Sequence, residues 1–339
     1  MAHEPELQRV DAVLPLTAAD AERARLLFRS LDAFFEPLGT CYVVVPERDL
    51  SAVRDVVPAN GFELLPETEV VPELRRVRRA ARLRSAVRLV RPPLHGWFVQ
   101  QLVKLAVAET VSTPFYLTLD SDVVCVRPTR YADLVRGGRA IVQTASPNHP
   151  EWNDDAERVL ALPRSGRQHA VTPALLSRDA VAELARHLDR RGRRAESWRR
   201  FLLRNLPWTE YALYHTFLEQ TGRFDAYHVL AGADAIYGEC AWVADEVAAW
   251  DPARAARLGC PFSVVQSATR ADPALLEEKF DRYLTAGVPT VDARPELERL
   301  RGEVETLRRR NAELELGAAA PPAGAAAHNL VRNASGTGG

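Results

Sequence analysis

Lysine is almost absent from this chain. Of its 44 basic residues only Lys104 and Lys279 are lysine, which leaves 42 arginines, and Met1 is the single methionine. That usage reads as the codon bias of a GC-rich genome, not as an adaptation to phosphate. It singles out Lys104, because elsewhere the chain writes arginine for a positive charge. Net charge is scarce too, at −1. No broad basic field exists, which excludes a general nucleic-acid or anionic-membrane binder. Cysteine is limited to Cys41, Cys125, Cys240 and Cys260, without a CxxC pair. That spacing argues against a structural zinc site and a secreted disulfide framework, and for reduced thiols in a cytoplasmic protein. No apolar run reaches the roughly 20 residues of a membrane span, so the protein is expected not to cross one. The opening MAHEPELQRVDAV has no basic region followed by an apolar run, so no signal peptide is expected.

What is present is the composition of a globular protein, 47% hydrophobic and 26% charged over 339 residues. Val10 to Leu14 reads as a first strand closed by Pro15. A helix follows from Thr17 to about Phe35, with Ala24, Leu27, Phe28 and Leu31 at helical spacing. Thr40 to Val45 predicts a second strand, Leu50 to Val57 a helix, and Gly61 to Leu65 a third strand. This alternation implies an α/β fold with a mainly parallel sheet, in which ligands bind beyond the carboxyl ends of the strands. Residues 73–91 form an arginine-rich stretch that fits a solvated helix face. A sharper alternative sets its end, near Arg88 and Arg91, over an anionic donor or a lipid-linked acceptor. Further helices are expected over 178–190, from about Thr209, and over Val243 to Trp250, with a late strand at Phe262 to Val265. PEWNDD, residues 150 to 155, reads as a mobile loop.

The chemistry concentrates in YLTLDSDVVCV, residues 116–126. An apolar strand runs directly into Asp120-Ser121-Asp122. Two carboxylates one residue apart at a strand end repel each other and resist burial, and a hard divalent cation relieves both problems. Mn²⁺ or Mg²⁺ on Asp120 and Asp122 would keep open positions for the oxygens of a diphosphate. Ser121 is small enough to let a ribose or sugar approach the backbone. The blander alternative is a solvated or capping strand end.

Upstream, GWFVQQLVKLAVAE predicts a helix that carries Trp97, Gln101 and Lys104 on one face. These three are candidates to line the donor site, with Lys104 as a point charge for a phosphate or a sugar hydroxyl. They could instead bridge the helix to a neighbouring loop. In NLPWTEYALYHTFLEQTG, Thr209 caps a helix that presents Glu210 between Trp208 and Tyr211. Aromatics beside a carboxylate suit a sugar cleft, which makes Glu210 the leading catalytic acid or base. Its bland role is to complement the helix dipole. Asp154 and Asp155 are second choices. His169, His215 and His228 are open candidates for a third metal contact.

The DSD together with its preceding helix and strand resembles the GT-A glycosyltransferases. It is similar to a bacterial family of sugar transferases with a W-x-x-Q-Q-x-x-K-L helix before the DxD strand. The likeness covers residues 10 to 285 in layout, with specific motifs in 95–126 and, more weakly, 208–220. It implies a GT-A-like fold, a nucleoside-diphosphate-sugar donor and a metal on the DxD. It also implies a catalytic domain over 1–290, with a donor half at about 10–130 and an acceptor half at about 131–290. The acceptor stays open among a glycan, a lipid-linked and a small-molecule class. LDSDVV also matches the nucleophile strand of haloacid-dehalogenase-type phosphatases, although that strand normally opens its domain. A nucleotidyltransferase would need a glycine-rich loop after the first strand, where this chain has Leu14-Pro15-Leu16-Thr17.

Beyond Pro295 the pattern changes. Leu297, Leu300, Val304, Leu307, Asn311 and Leu314 form a short heptad seam. A coiled-coil helix over 295–316 is expected, able to form a homodimer, followed by a disordered tail over 317–339. A non-catalytic interaction protein built around that seam is the alternative from outside enzymology.

Overall fold

The computed structural model describes residues 8–86, 96–144, 149–169, 171–232 and 235–289, together with residues 302, 304, 306 and 308. The chain divides into two compact units, 1–291 and 292–339. In the second, Gly302, Val304, Thr306 and Arg308 are helical. The rest of the expected coiled coil and the tail lie outside the described residues, as do Arg88 and Arg91.

The first unit is an α/β structure around a five-stranded sheet. Among the described residues its strands are β1 (Val10–Pro15), β2 (Leu38–Val45), β3 (Phe62–Pro66), β4 (Phe115–Thr118), β5 (Val123–Cys125), β6 (Val135–Arg136), β7 (Arg139–Gln143), β8 (Ala174–Ser177), β9 (His228–Ala231) and β10 (Phe262–Val264). The main sheet has the order β3-β2-β1-β4-β8. Its pairs are parallel except for β4 with β8. The expected mainly parallel sheet flanked by helices is therefore present. Two small sheets, β10-β5 and β6-β7-β9, complete the unit.

Sheet register explains the near-continuous apolar strands. Ala12, Leu14, Cys41, Val43, Val45, Phe115 and Leu117 point into one core. Their alternates Val13, Tyr42, Val44 and Tyr116 point into a second core on the opposite face. A sheet covered on both faces has no polar side, so its strands read as unbroken hydrophobic runs. The Ala21–Phe34 and Pro273–Ala286 helices cover the first face, with Leu27, Leu31, Leu276 and Phe280 inward. The Gly96–Ala106, Arg178–Arg191 and Glu210–Gln220 helices cover the second.

Two expectations fail locally. PEWNDD is not a loop, because Pro150 opens a helix that runs to Leu160 and buries Asn153, Ala156, Val159 and Leu160. The helix expected over Val243 to Trp250 shrinks to Ala244–Val247. Asp154 and Asp155 lie on the Pro150–Leu160 helix in surface ion pairs with Arg164 and Arg158.

One buried carboxylate ties the amino ends of the strands together. Asp11, 1% exposed, sits in β1. It accepts hydrogen bonds from the backbone N–H of Thr40 (2.9 Å), Ser112 (2.7 Å) and Thr113 (3.2 Å), and from the Ser112 hydroxyl (3.0 Å). Glycine at position 39 follows from this contact, because a Cβ there would stand 2.3 Å from Asp11 Oδ1. Asp11→Ala leaves three backbone donors without their acceptor and should cost at least about 3 kcal/mol in equilibrium urea unfolding. A loss below about 1 kcal/mol would show that the clamp carries little stability.

Candidate active site at the end of the fourth strand

The main sheet runs outward from β1 in both directions, to β2 and β3 on one side and to β4 on the other. The chain order therefore reverses between β1 and β4, and crevices at the carboxyl ends of such strand pairs are where ligands bind in doubly wound sheets. The DSD follows β4 directly. The Leu119 N–H makes the last ladder bond to the Val13 carbonyl at 2.9 Å, and Val123 N–H bonds Asp120 O at 3.2 Å to close the turn. The β10 strand then straps the turn down. Val265 N–H donates to Asp122 O at 3.0 Å, and Ser267 N–H donates to Asp122 Oδ2 at 2.9 Å.

Asp120 and Asp122 have different surroundings. The Asp120 side chain is 40% exposed and meets the Lys104 ammonium through Oδ1 at 2.9 Å. Burial, and then the charge of Asp120, push the Asp122 carboxyl up to about 6. Asp120 Oδ1 is thus held by Lys104 and Asp122 Oδ2 by Ser267. Ser121 between them is partly exposed.

Lys104 is the centre of the arrangement. It is 2% exposed, and three oxygens surround its Nζ: Thr172 Oγ1 at 2.8 Å, Asp120 Oδ1 at 2.9 Å and Glu210 Oε1 at 3.2 Å. Burial opposes its charge, but Asp120, Tyr211 and Glu210 outweigh burial and hold the ammonium well above its ordinary pKa. Burial raises the Glu210 carboxyl, with Lys104 acting against that rise. The Lys104–Glu210 approach is an ion pair by distance but lacks hydrogen-bond alignment, so that oxygen has charge compensation without a directed donor. The Tyr211 hydroxyl completes the network, 2.7 Å from both Thr118 Oγ1 and Thr172 Oγ1.

These contacts revise several expectations. Glu210, expected at a sugar cleft, is 1% exposed and faces Lys104 in the interior. Gln101 does not line an open donor pocket. It is buried, and its Oε1 accepts the Glu210 N–H at 3.2 Å, which caps the Glu210–Gln220 helix. Trp208 and Tyr211 are not sugar platforms flanking a carboxylate, because both are core residues, with Trp208 Nε1 donating to the Leu202 carbonyl at 2.9 Å. Trp97, at the start of its helix, is 38% exposed. Thr118, Thr172 and Ser267 were not singled out from sequence. Thr118 carried a faint signal, as the one aliphatic hydroxyl in the apolar strand before the DSD.

The histidines stand apart from the carboxylates. His169 pairs with Glu219 at 2.9 Å, and His228 bonds the Tyr214 hydroxyl at 2.7 Å. Among the described residues no group of three or more His, Cys, Asp or Glu is placed to hold a metal, so none of the histidines joins Asp120 and Asp122.

A family model described as a family of unknown function (DUF6492) matches residues 7–288. The chain belongs to that family. No curated protein matches the sequence. Among solved structures, the galactosyltransferase LgtC in complex with donor and acceptor sugar analogs aligns at TM-score 0.46 and 10% identity, over 83% of this chain and 97% of its own. An active-site mutant of LgtC aligns at TM-score 0.44 and 10% identity, over 83% and 98%. At those scores the alignments carry no weight for the chemistry of this DUF6492 chain.

The buried pair can be tested by a double-mutant cycle. Glu210→Leu strands the Lys104 charge on one side and should cost about 3 kcal/mol. Lys104→Met combined with Glu210→Leu should cost clearly less than the sum of the two single changes. Additive losses in chemical denaturation would show that the two groups are not coupled.

Proposed function

We propose that the protein is a metal-dependent glycosyltransferase, which moves a sugar from a nucleoside-diphosphate-sugar to a hydroxyl-bearing acceptor. The observation that carries this reading is the position of Asp120 and Asp122 at the carboxyl ends of β1 and β4, where the strand order reverses. A carboxylate pair there fits Mn²⁺ or Mg²⁺. Both ions are commonly held by one or two carboxylates plus substrate phosphates, so two protein ligands suffice. When bound, the cation supplies Lewis-acid stabilisation of the departing diphosphate.

The chain's own residues do the rest. Asp120 and Asp122 would hold the ion. Lys104, held at Asp120 by Thr172 and Glu210, presents a fixed positive charge beside the phosphates and costs no reorganisation at the moment of transfer. Glu210 is a positioning residue. Ser121 leaves room beside the backbone for a ribose or sugar, and the 131–290 half shapes the acceptor side. A phosphatase built on Asp120 would need further acidic residues to hold its ion, and among the described residues no such group accompanies the DSD.

A thermal-shift panel of UDP, GDP, CDP and dTDP, each with and without Mn²⁺, tests the reading. One nucleotide should stabilise the chain, only with metal, by about 2.7 kcal/mol at a hundredfold excess over its Kd. Asp122→Asn should abolish the response and leave the melting of the free chain intact. Unchanged nucleotide affinity in that variant would sink the metal assignment. A flat panel in the wild-type chain would move the weight to phosphatase substrates.

A further inference from the structure

Behind Tyr211 lies a second polar site that the carboxylate chemistry does not use. A cavity of about 30 Å³ is lined by Trp152, His169, Tyr211, His215 and Thr216, among others. Six buried side-chain atoms among the described residues have no hydrogen-bond partner, and three of them belong to this lining: His169 Nδ1, His215 Nδ1 and Thr216 Oγ1. The three residues are 8%, 4% and 1% exposed. Orphaned buried polar atoms are rare and costly, and three around one space mark a place built for a polar guest.

The chemistry of these atoms narrows the guest. His169 Nε2 lies 2.9 Å from Glu219 Oε1, and a carboxylate can only accept, so Nε2 carries a proton and Nδ1 is the ring nitrogen left without a partner. Burial, and then the neighbouring His169 and His228, hold His215 well below its ordinary pKa, so its ring is neutral. Thr216 stands within the Glu210–Gln220 helix, where a threonine hydroxyl ordinarily bonds the carbonyl one turn back. Here it stays without a partner. The guest must bond an imidazole nitrogen and can exchange a second bond with a hydroxyl; the exposed Arg167 also lines the space. An alcohol does all of this. The aromatic lining adds an apolar surface. Trp152, stacked on His149 with ring centroids 4.1 Å apart, and Tyr211 both border the space.

We propose that this cavity is a carbohydrate subsite, which takes one hydroxyl or hydroxymethyl group of a neutral sugar between His169, His215 and Thr216. Its assignment to the acceptor rests on the transferase reading. Tyr211 links the two sites, since it lines the cavity while its hydroxyl bonds Thr118 and Thr172 beside Lys104. A sugar seated there would be within one side chain of the diphosphate-binding crevice.

The test is histidine side-chain ¹⁵N NMR on the full chain. Methyl glycosides of glucose, galactose, mannose and N-acetylglucosamine are titrated one at a time. At least one should shift the ring nitrogens of His169 and His215 saturably. His187, bonded elsewhere to the Leu160 carbonyl, should stay still. Thr216→Val keeps the shape and removes the hydroxyl, and should weaken that glycoside about three- to tenfold. No saturable shift from any of the four would mean that the cavity holds only water, and would overturn the proposal. A shift of equal affinity in Thr216→Val would overturn it too. The thermal-shift panel with Mn²⁺, run on the same sample, separates the two readings. Nucleotide binding without a glycoside response removes this subsite alone. A glycoside response without nucleotide binding supports the subsite and removes the transferase reading.

Discussion

A single ammonium group organises this molecule. Lys104 lies in the core on a helix against the sheet, and a charge there is tolerable only if its surroundings repay several kcal/mol of lost hydration. The repayment comes from three oxygens supplied by distant parts of the chain: the turn after β4, the segment entering β8, and the first turn of the Glu210–Gln220 helix. Each of those elements is then fixed relative to the others. Gln101, one turn earlier on the same helix, adds a fourth tie by capping the helix that carries Glu210. Segments far apart in the sequence meet at one charge.

That geometry has an asymmetry with chemical consequences. Two of the three oxygens around Lys104 are buried with it, whereas Asp120 is 40% exposed and reaches the crevice. The fixed positive charge therefore acts outward through Asp120, next to Asp122, whose carboxyl burial holds at about 6. A pair of acidic groups with a built-in cation behind one of them carries less negative charge than two free carboxylates. It still presents two hard oxygens to an incoming ion. Preorganised charge of this kind stabilises charge that develops during a reaction more effectively than solvent, because it does not have to reorient.

The mainly parallel sheet was largely legible in the sequence, because strands buried on both faces produce unbroken apolar runs between helical periodicities. The DSD was legible for the same reason: two carboxylates at the end of such a run have no packing explanation. Side-chain roles were harder to read. Gln101, Lys104 and Glu210 are each polar in an apolar context, and sequence spacing identified them as unusual. It could not reveal that they satisfy one another across the interior. Thr172 and Ser267 carry no local pattern at all, since their contacts depend on which loops the topology brings beside β4. PEWNDD misled because its polar run hides a helical stripe of Asn153, Ala156 and Val159 against the core.

Tyr211 shows how two neighbouring polar regions keep separate identities. On one side its hydroxyl is engaged with both Thr118 and Thr172. On the other side it borders a cavity whose imidazole and hydroxyl atoms have none. A core that needed only stability would have filled that space with aliphatic side chains, since exchanging an unsatisfied polar group for an apolar one of the same shape costs little or stabilises. Both regions hang on one helix, Glu210–Gln220, with Glu210 and Tyr211 facing Lys104 and His215 and Thr216 lining the cavity one turn further on. A guest in that cavity would touch the same helix whose first turn faces the ammonium.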